Sequence, residues 1–217
     1  MKRFASMLLV LITINTQAQK KERLPLVFRI GFAISDIKTD DPSVGSGTGV
    51  VKFEVGVETI IPITKNKNDK MLAFNPCVLY LPTGYNPEKN AVYKSSVKYI
   101  SLQLPLIFLK SSNKTFFLGA GPFVNFALSG KNQSFSGTST SMKFGNSITD
   151  DRKRIDVGGL VKAGKIVDDF IFGSKNGIAF GLQYNIGLID VTPNDKKSTA
   201  KGYLKTSTIE VYTAFVF

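Results

Sequence analysis

The sequence predicts an all-β fold, an eight-stranded antiparallel up-and-down transmembrane β-barrel. Three observations predict it. Segments of about ten residues with period-two patterning recur along the chain, separated by polar turns. One face of nearly every segment is wholly apolar, and the other carries small, polar or charged residues. No stretch after residue 18 approaches the ~20 apolar residues that a helical span requires.

The segments follow in order. In 24–35, Leu26, Phe28, Ile30, Phe32 and Ile34 oppose Arg29, Gly31 and Ala33. In 48–61, Val51, Phe53, Val55 and Val57 oppose Lys52, Glu54, Gly56 and Glu58. The third, 71–81, sets Leu72, Phe74, Val78 and Tyr80 against Asn75 and Cys77. The fourth, 93–109, sets Ile100, Leu102, Leu104, Leu106 and Phe108 against Tyr99, Ser101 and Gln103. In 115–129, Phe116, Leu118, Ala120, Val124, Phe126 and Leu128 oppose Gly119, Gly121 and Asn125. In 152–166, Ile155, Val157 and Val161 oppose Arg154, Asp156 and Lys162. The seventh, 177–189, sets Ile178, Phe180, Leu182, Tyr184, Ile186 and Leu188 against Gly181, Gln183, Asn185 and Gly187. The eighth is the closing run "TIEVYTAFVF", apolar at Ile209, Val211, Phe215 and Phe217 and carrying Glu210 and Tyr212 on its other face.

The charged faces cannot line a dry core. A narrow hydrated interior accommodates Arg29, Lys52, Glu54, Glu58, Arg154, Asp156, Lys162 and Glu210, and lipid then takes the apolar faces. Closure removes edge strands, whose backbone groups would have no partner in hydrocarbon. At eight strands the interior is just wide enough for side chains to fill. The four bases and four acids are therefore expected to form a paired network that plugs the lumen, because burying any of them alone costs several kcal/mol, roughly. The connections 36–47, 82–92, 130–151 and 190–203 are on average longer than 62–70, 110–114 and 167–176. This fits long outer loops and short periplasmic turns. Tyr212, Phe215 and Phe217 are expected to supply the C-terminal strand signal presented to the barrel-assembly machinery.

The beginning of the chain predicts export. Lys2 and Arg3 precede an apolar run over 4–14, and Thr16 and Ala18 place small residues at a cleavage site. That run is too short for a ~30 Å bilayer core. The expected organisation is a signal peptide, 1–18, and a barrel domain, 19–217, in the bacterial outer membrane. Loss of Lys2 and Arg3 takes the formal charge from +12 to +10. A basic exported barrel is expected to meet the lipid bilayer and lipopolysaccharide. No helix-turn-helix, zinc-finger or aromatic RNA-binding signature points to nucleic acid.

Composition narrows the chemistry. The chain contains no histidine, which excludes His-based triads, His general bases and most zinc sites. Cys77 is the single cysteine, so no intrachain disulfide forms, and without a His partner it reads as a buried thiol. "GSGTG" at 45–49 lacks the Lys-Ser/Thr of a phosphate loop and opens a strand, so it reads as outer loop. The doublets Asp40-Asp41, Asp150-Asp151 and Asp168-Asp169 lack calcium-loop spacing. No enzyme, cofactor or metal is expected. The outer loops are the expected route to a protein partner, foremost the longest, with Phe135, Met142 and Phe144.

The stretch "YISLQLPLIFLKSSNKTFFLGAGPFVNFALSGK" resembles the PorT-like outer-membrane β-barrel family of Bacteroidetes. The residues that carry the likeness are Tyr99, Leu104, Pro105 and Leu106, then Phe117, Gly119, Gly121, Pro122 and Phe123, with Gly130 and Lys131 after them. The resemblance continues through "IDVGGLVKAG" and "FGLQYNIGLIDV" to the last strand. The expected function is that of a non-enzymatic barrel with a structural or interaction role, and the resemblance implies a place for it in protein secretion or envelope assembly. A small pore or ligand carrier is the alternative, opposed by the expected lumenal pairs. A soluble lipocalin-type barrel is opposed by the apolar outer faces.

Overall fold

Period-two patterning becomes strands throughout the computed structural model. It describes residues 26–39, 47–65, 70–87, 93–110, 115–134, 136–147, 149–168, 177–193 and 204–216. The expected signal peptide, Gly45, Ser46, Phe135, Asp169, Phe217 and the doublet Asp40-Asp41 lie outside the described residues.

The strands are β1 (Leu26–Thr39), β2 (Gly47–Thr59), β3 (Ile61–Lys65), β4 (Lys70–Phe74), β5 (Cys77–Pro87) and β6 (Tyr93–Gln103). They continue with β7 (Leu106–Lys110), β8 (Thr115–Ser134), β9 (Ser139–Ser141), β10 (Ile155–Asp168), β11 (Gly177–Gly187) and β12 (Leu204–Val216). Three pairs share a stave: β2 with β3, β4 with β5, and β6 with β7. With β9 set aside as a short arm on β8, eight antiparallel staves close into a barrel. Closure comes from β1 against β12, in register from Val27–Val216 to Thr39–Leu204. On the far side β8 pairs with both β6 and β10.

The breaks within staves form one diagonal band. Thr59 N–H donates to Pro76 O, Asn75 N–H to Pro105 O, and Leu104 N–H to Pro122 O. Each proline sits where the ladder is already interrupted, since it has no N–H to give. At the end of the band Gly121 lies against the Leu104–Pro105 backbone, where a Cβ would come within 2.5 Å of Pro105 Cα. The Leu104-Pro105 and Gly121-Pro122 elements of the sequence are thus two sides of one kink.

The strands run further into the long connections than expected, to Thr39, Pro87 and Ser134. Pro82 does not end the third stave because the β2–β5 ladder shifts register between Gly49 and Val55, and the proline falls in that irregular stretch. The end of the barrel bearing the long connections is called here the loop end, and the opposite one the turn end.

Alternation divides the staves into two surfaces. Phe28, Phe32, Phe53, Leu118, Val161, Phe180, Leu182 and Val211 stand on the outside, each at least 42% exposed. Inside, an apolar cluster including Val27, Ala73, Ile107, Leu109 and Phe117 fills the turn end. A second, of Ala33, Leu81, Val97, Tyr99 and Ala127, fills the loop end, with Met142 and Phe144 of the longest connection packed against it. Both apolar plugs are additions to the expected polar interior. The loop folds back as a lid, and Met142 and Phe144 are half-buried against this cluster.

Candidate functional site

Between the two plugs lies the ion-paired centre. Arg29 on β1 faces Gly56 and Ala214 directly across its two neighbouring strands. These small partners leave the guanidinium free to reach diagonally. Its Nη2 donates to Glu54 Oε1 at 2.8 Å and its Nε to the same oxygen at 3.0 Å. Nη2 also donates to Glu210 Oε2, and Nη1 to Gln183 Oε1 at 3.1 Å. The cation lies 3.6 Å from the centroid of the Tyr212 ring. Arg29, Glu54 and Glu210 are fully buried, so two carboxylates share one fork of donors and the cation offsets part of their mutual repulsion.

Amides extend the centre around the wall. Gln183 Nε2 donates to Gln103 Oε1 at 3.0 Å and to Asn185 Oδ1 at 2.8 Å, and Asn185 Nδ2 donates to Glu210 Oε1. A second pair crosses the bore. Lys162 on β10 donates from Nζ to Glu58 Oε2 on β2 at 3.1 Å and to Asn75 Oδ1 at 2.6 Å. The strands β10 and β2 stand on opposite walls of the closed ring. Asn75 is held in turn by its own Nδ2 donating to Thr59 O at 2.8 Å.

Of the eight charges read from the sequence, Arg29, Glu54 and Glu210 meet in one cluster, and Glu58 and Lys162 in another. Asp156 is buried nearer the loop end and accepts from Thr206 Oγ1 at 2.5 Å. Lys52 is half-buried with its stem beside Gly84, and it does not join the centre. Arg154 is a correction. It precedes the first paired residue of β10, so strand alternation does not reach it. It is exposed, with its guanidinium 5.7 Å from the outward Phe126 ring. Arg152 is the buried cation of that segment, 5.8 Å from the Tyr99 ring. It borders a cavity of about 20 Å³ shared with Asn125, Asp156 and Thr206, room for roughly one water.

The remaining sequence candidates have local roles. Cys77 is buried on the inner wall. Asp150 accepts from Ser147 N–H and Asp151 from Lys143 N–H, both at 2.8 Å, which fixes the lobe of the longest connection. Of the C-terminal residues, Tyr212 points inward and is buried, whereas Phe215 is half-buried. The network members that charge reading passes over are Asn75, Gln103, Gln183 and Asn185. Their signal is placement at alternate positions on the same face as the charges.

The outer membrane protein beta-barrel domain family matches residues 17–192. The chain belongs to that family. As a member of the outer membrane protein beta-barrel family, it is placed in the bilayer of the bacterial outer membrane. Among solved structures it is similar to Ail, the attachment invasion locus protein of Yersinia pestis. The two share 15% identity over 89% of this chain and 99% of that one, with a TM-score of 0.44. It is also similar to OprG of Pseudomonas aeruginosa (11%, 89% and 96%, TM-score 0.49) and to Neisserial surface protein A (11%, 87% and 95%, TM-score 0.44). No curated protein matches the sequence.

Proposed function

We propose that this family member is a PorT-like, non-enzymatic barrel whose role is structural and interactive, in protein secretion or envelope assembly. The observation that carries the reading is the Lys162–Glu58 bridge between opposite walls, which with the Arg29 cluster leaves the bore filled by side chains. A filled bore suits an anchor for surface loops and does not suit a conduit. The absence of histidine weighs against hydrolytic chemistry. The Leu104-Pro105 and Gly121-Pro122 elements that carry the PorT-like resemblance occupy the kink band, where they shape the barrel.

The test is a deletion strain complemented with the full chain or with a chain whose 136–147 segment is replaced by a short Gly/Ser turn. The full chain restores the profile of secreted proteins and envelope integrity, while the replaced chain inserts but does not restore them. A deletion that leaves secretion and envelope intact but alters small-solute uptake overturns the reading in favour of a pore.

A further inference from the structure

Outside the barrel, at the loop end, the fold gathers cations that have no carboxylate partner among the described residues. The β6–β8 ladder shifts register between Lys98 and Tyr99, so that Lys98 pairs with Ser129 and Tyr99 with Ala127. The extra residue flips the parity of β8. Leu128 and Ser129 are both exposed, and Lys131 comes to the outer surface beside Lys98. The arm β9 then pairs Ser141 with Lys131, and the following lobe brings Lys143 and Arg154 to the same depression. The result is an open groove of about 570 Å³.

Its charge is unbalanced. Lys98, Lys131, Lys143 and Arg154 line it together with one acid, Asp150, whose Oδ2 already accepts the Ser147 N–H. None of the four cations forms an ion pair among the described residues. This contrasts with the interior, where Arg29 and Lys162 each meet a carboxylate. Four like charges held together call for an anion from outside the chain. The groove also adjoins the lipid-facing band, where Phe126 is 40% exposed, Leu128 51% and Ile155 48%. The Arg154 guanidinium, 5.7 Å from the Phe126 ring, is exposed, and a planar fork of donors suits bidentate contact with phosphate.

We propose that this groove binds the phosphorylated headgroup of a lipid in the leaflet surrounding the loop end, of the lipid A class. The four cations hold the phosphate, and Leu128 and Phe126 lie against the acyl chains. A freely soluble anion has no use for that apolar floor, whereas a membrane lipid brings phosphate and hydrocarbon to the same depth. The inference rests on the bilayer location and is independent of any role in secretion.

The test uses the full chain reconstituted into phosphatidylcholine vesicles doped with lipid A, either phosphorylated or dephosphorylated. Lipid retained after mild detergent extraction is then counted by native mass spectrometry. The expected result is retention of the phosphorylated form alone, with about a five-fold loss for each cation removed in Lys98→Gln, Lys131→Gln and Arg154→Gln, separately and combined. The control is Lys110→Gln with Lys165→Gln, two cations flanking Phe116 at the turn end, and it leaves retention unchanged. Equal loss in the control, equal retention of both lipids, or binding of inorganic phosphate alone overturns the groove. A chain that floats with the vesicles and shifts mobility on boiling, yet retains neither lipid, also overturns it while the bilayer location stands. A chain that does not float overturns the bilayer location and this inference together.

Discussion

Lys162 and Glu58 start from opposite walls of the barrel and meet at 3.1 Å in its middle. Lys162 sits on β10 directly across from Gly119 and Gln183, and the glycine leaves its long stem a clear path over the bore. Removing either end strands a buried charge. We expect Lys162→Met or Glu58→Met alone to destabilise the barrel by roughly 3–5 kcal/mol. The double variant recovers most of that loss, because no unpaired charge remains. Urea unfolding in vesicles, followed by mobility of unboiled samples on a gel, measures all three.

Inner-wall glycines seat aromatic rings. Tyr212 faces Gly181 across one ladder and Gly31 across the other. A Cβ on Gly181 would stand 2.3 Å from Tyr212 Cζ. The same arrangement pairs Phe123 with Gly158 and Phe117 with Gly164. We expect Gly181→Ala to displace the Tyr212 ring from beneath Arg29 and to destabilise the barrel by about 1–3 kcal/mol. Gly159, whose Cβ would meet nothing, serves as the control, and Gly159→Ala leaves the unfolding midpoint within experimental error.

Neighbouring residues on β10 face different surroundings. Val161 is 53% exposed on the outside, and Lys162 is buried inside. An arginine at position 161 stands in hydrocarbon, so Val161→Arg is expected to cost ~2–4 kcal/mol if the position lies near the bilayer midplane. Val161→Leu is expected to be neutral. Equal effects of the two substitutions would mean that the outer face does not meet lipid.

The Cys77 thiol is sealed from water, 1% exposed on the inner wall. A water-soluble maleimide should leave the folded barrel unlabelled for as long as it resists unfolding, and label it fully in denaturant. Rapid labelling of the folded form would mean that water and reagent reach the lumen, which contradicts a filled bore.

Strand existence and the two faces are legible in the sequence because a side chain's direction in a strand alternates with position alone. That is why Phe32, Phe53 and Val161 are correctly read as outward and Glu54, Glu58 and Lys162 as inward. The rule fails wherever pairing stops. It misplaces Arg154, one residue before β10, and at the Leu128–Ser129 bulge it gives no warning that Lys131 turns outward. The lid formed by Met142 and Phe144 is likewise invisible, since those residues lie in an irregular segment with no period to read.

The sequence by itself determined the class of fold, the strand rhythm and which side chains share a surface, since each depends only on local alternation and on the cost of leaving polar backbone in hydrocarbon. Only the tertiary structure decided which charges meet. Arg29 reaches Glu54 and Glu210 because stagger sets them on diagonals beside Gly56 and Ala214, and Lys162 reaches Glu58 because closure places β10 opposite β2. Stagger and closure belong to the whole ring, so no single segment of the chain contains them.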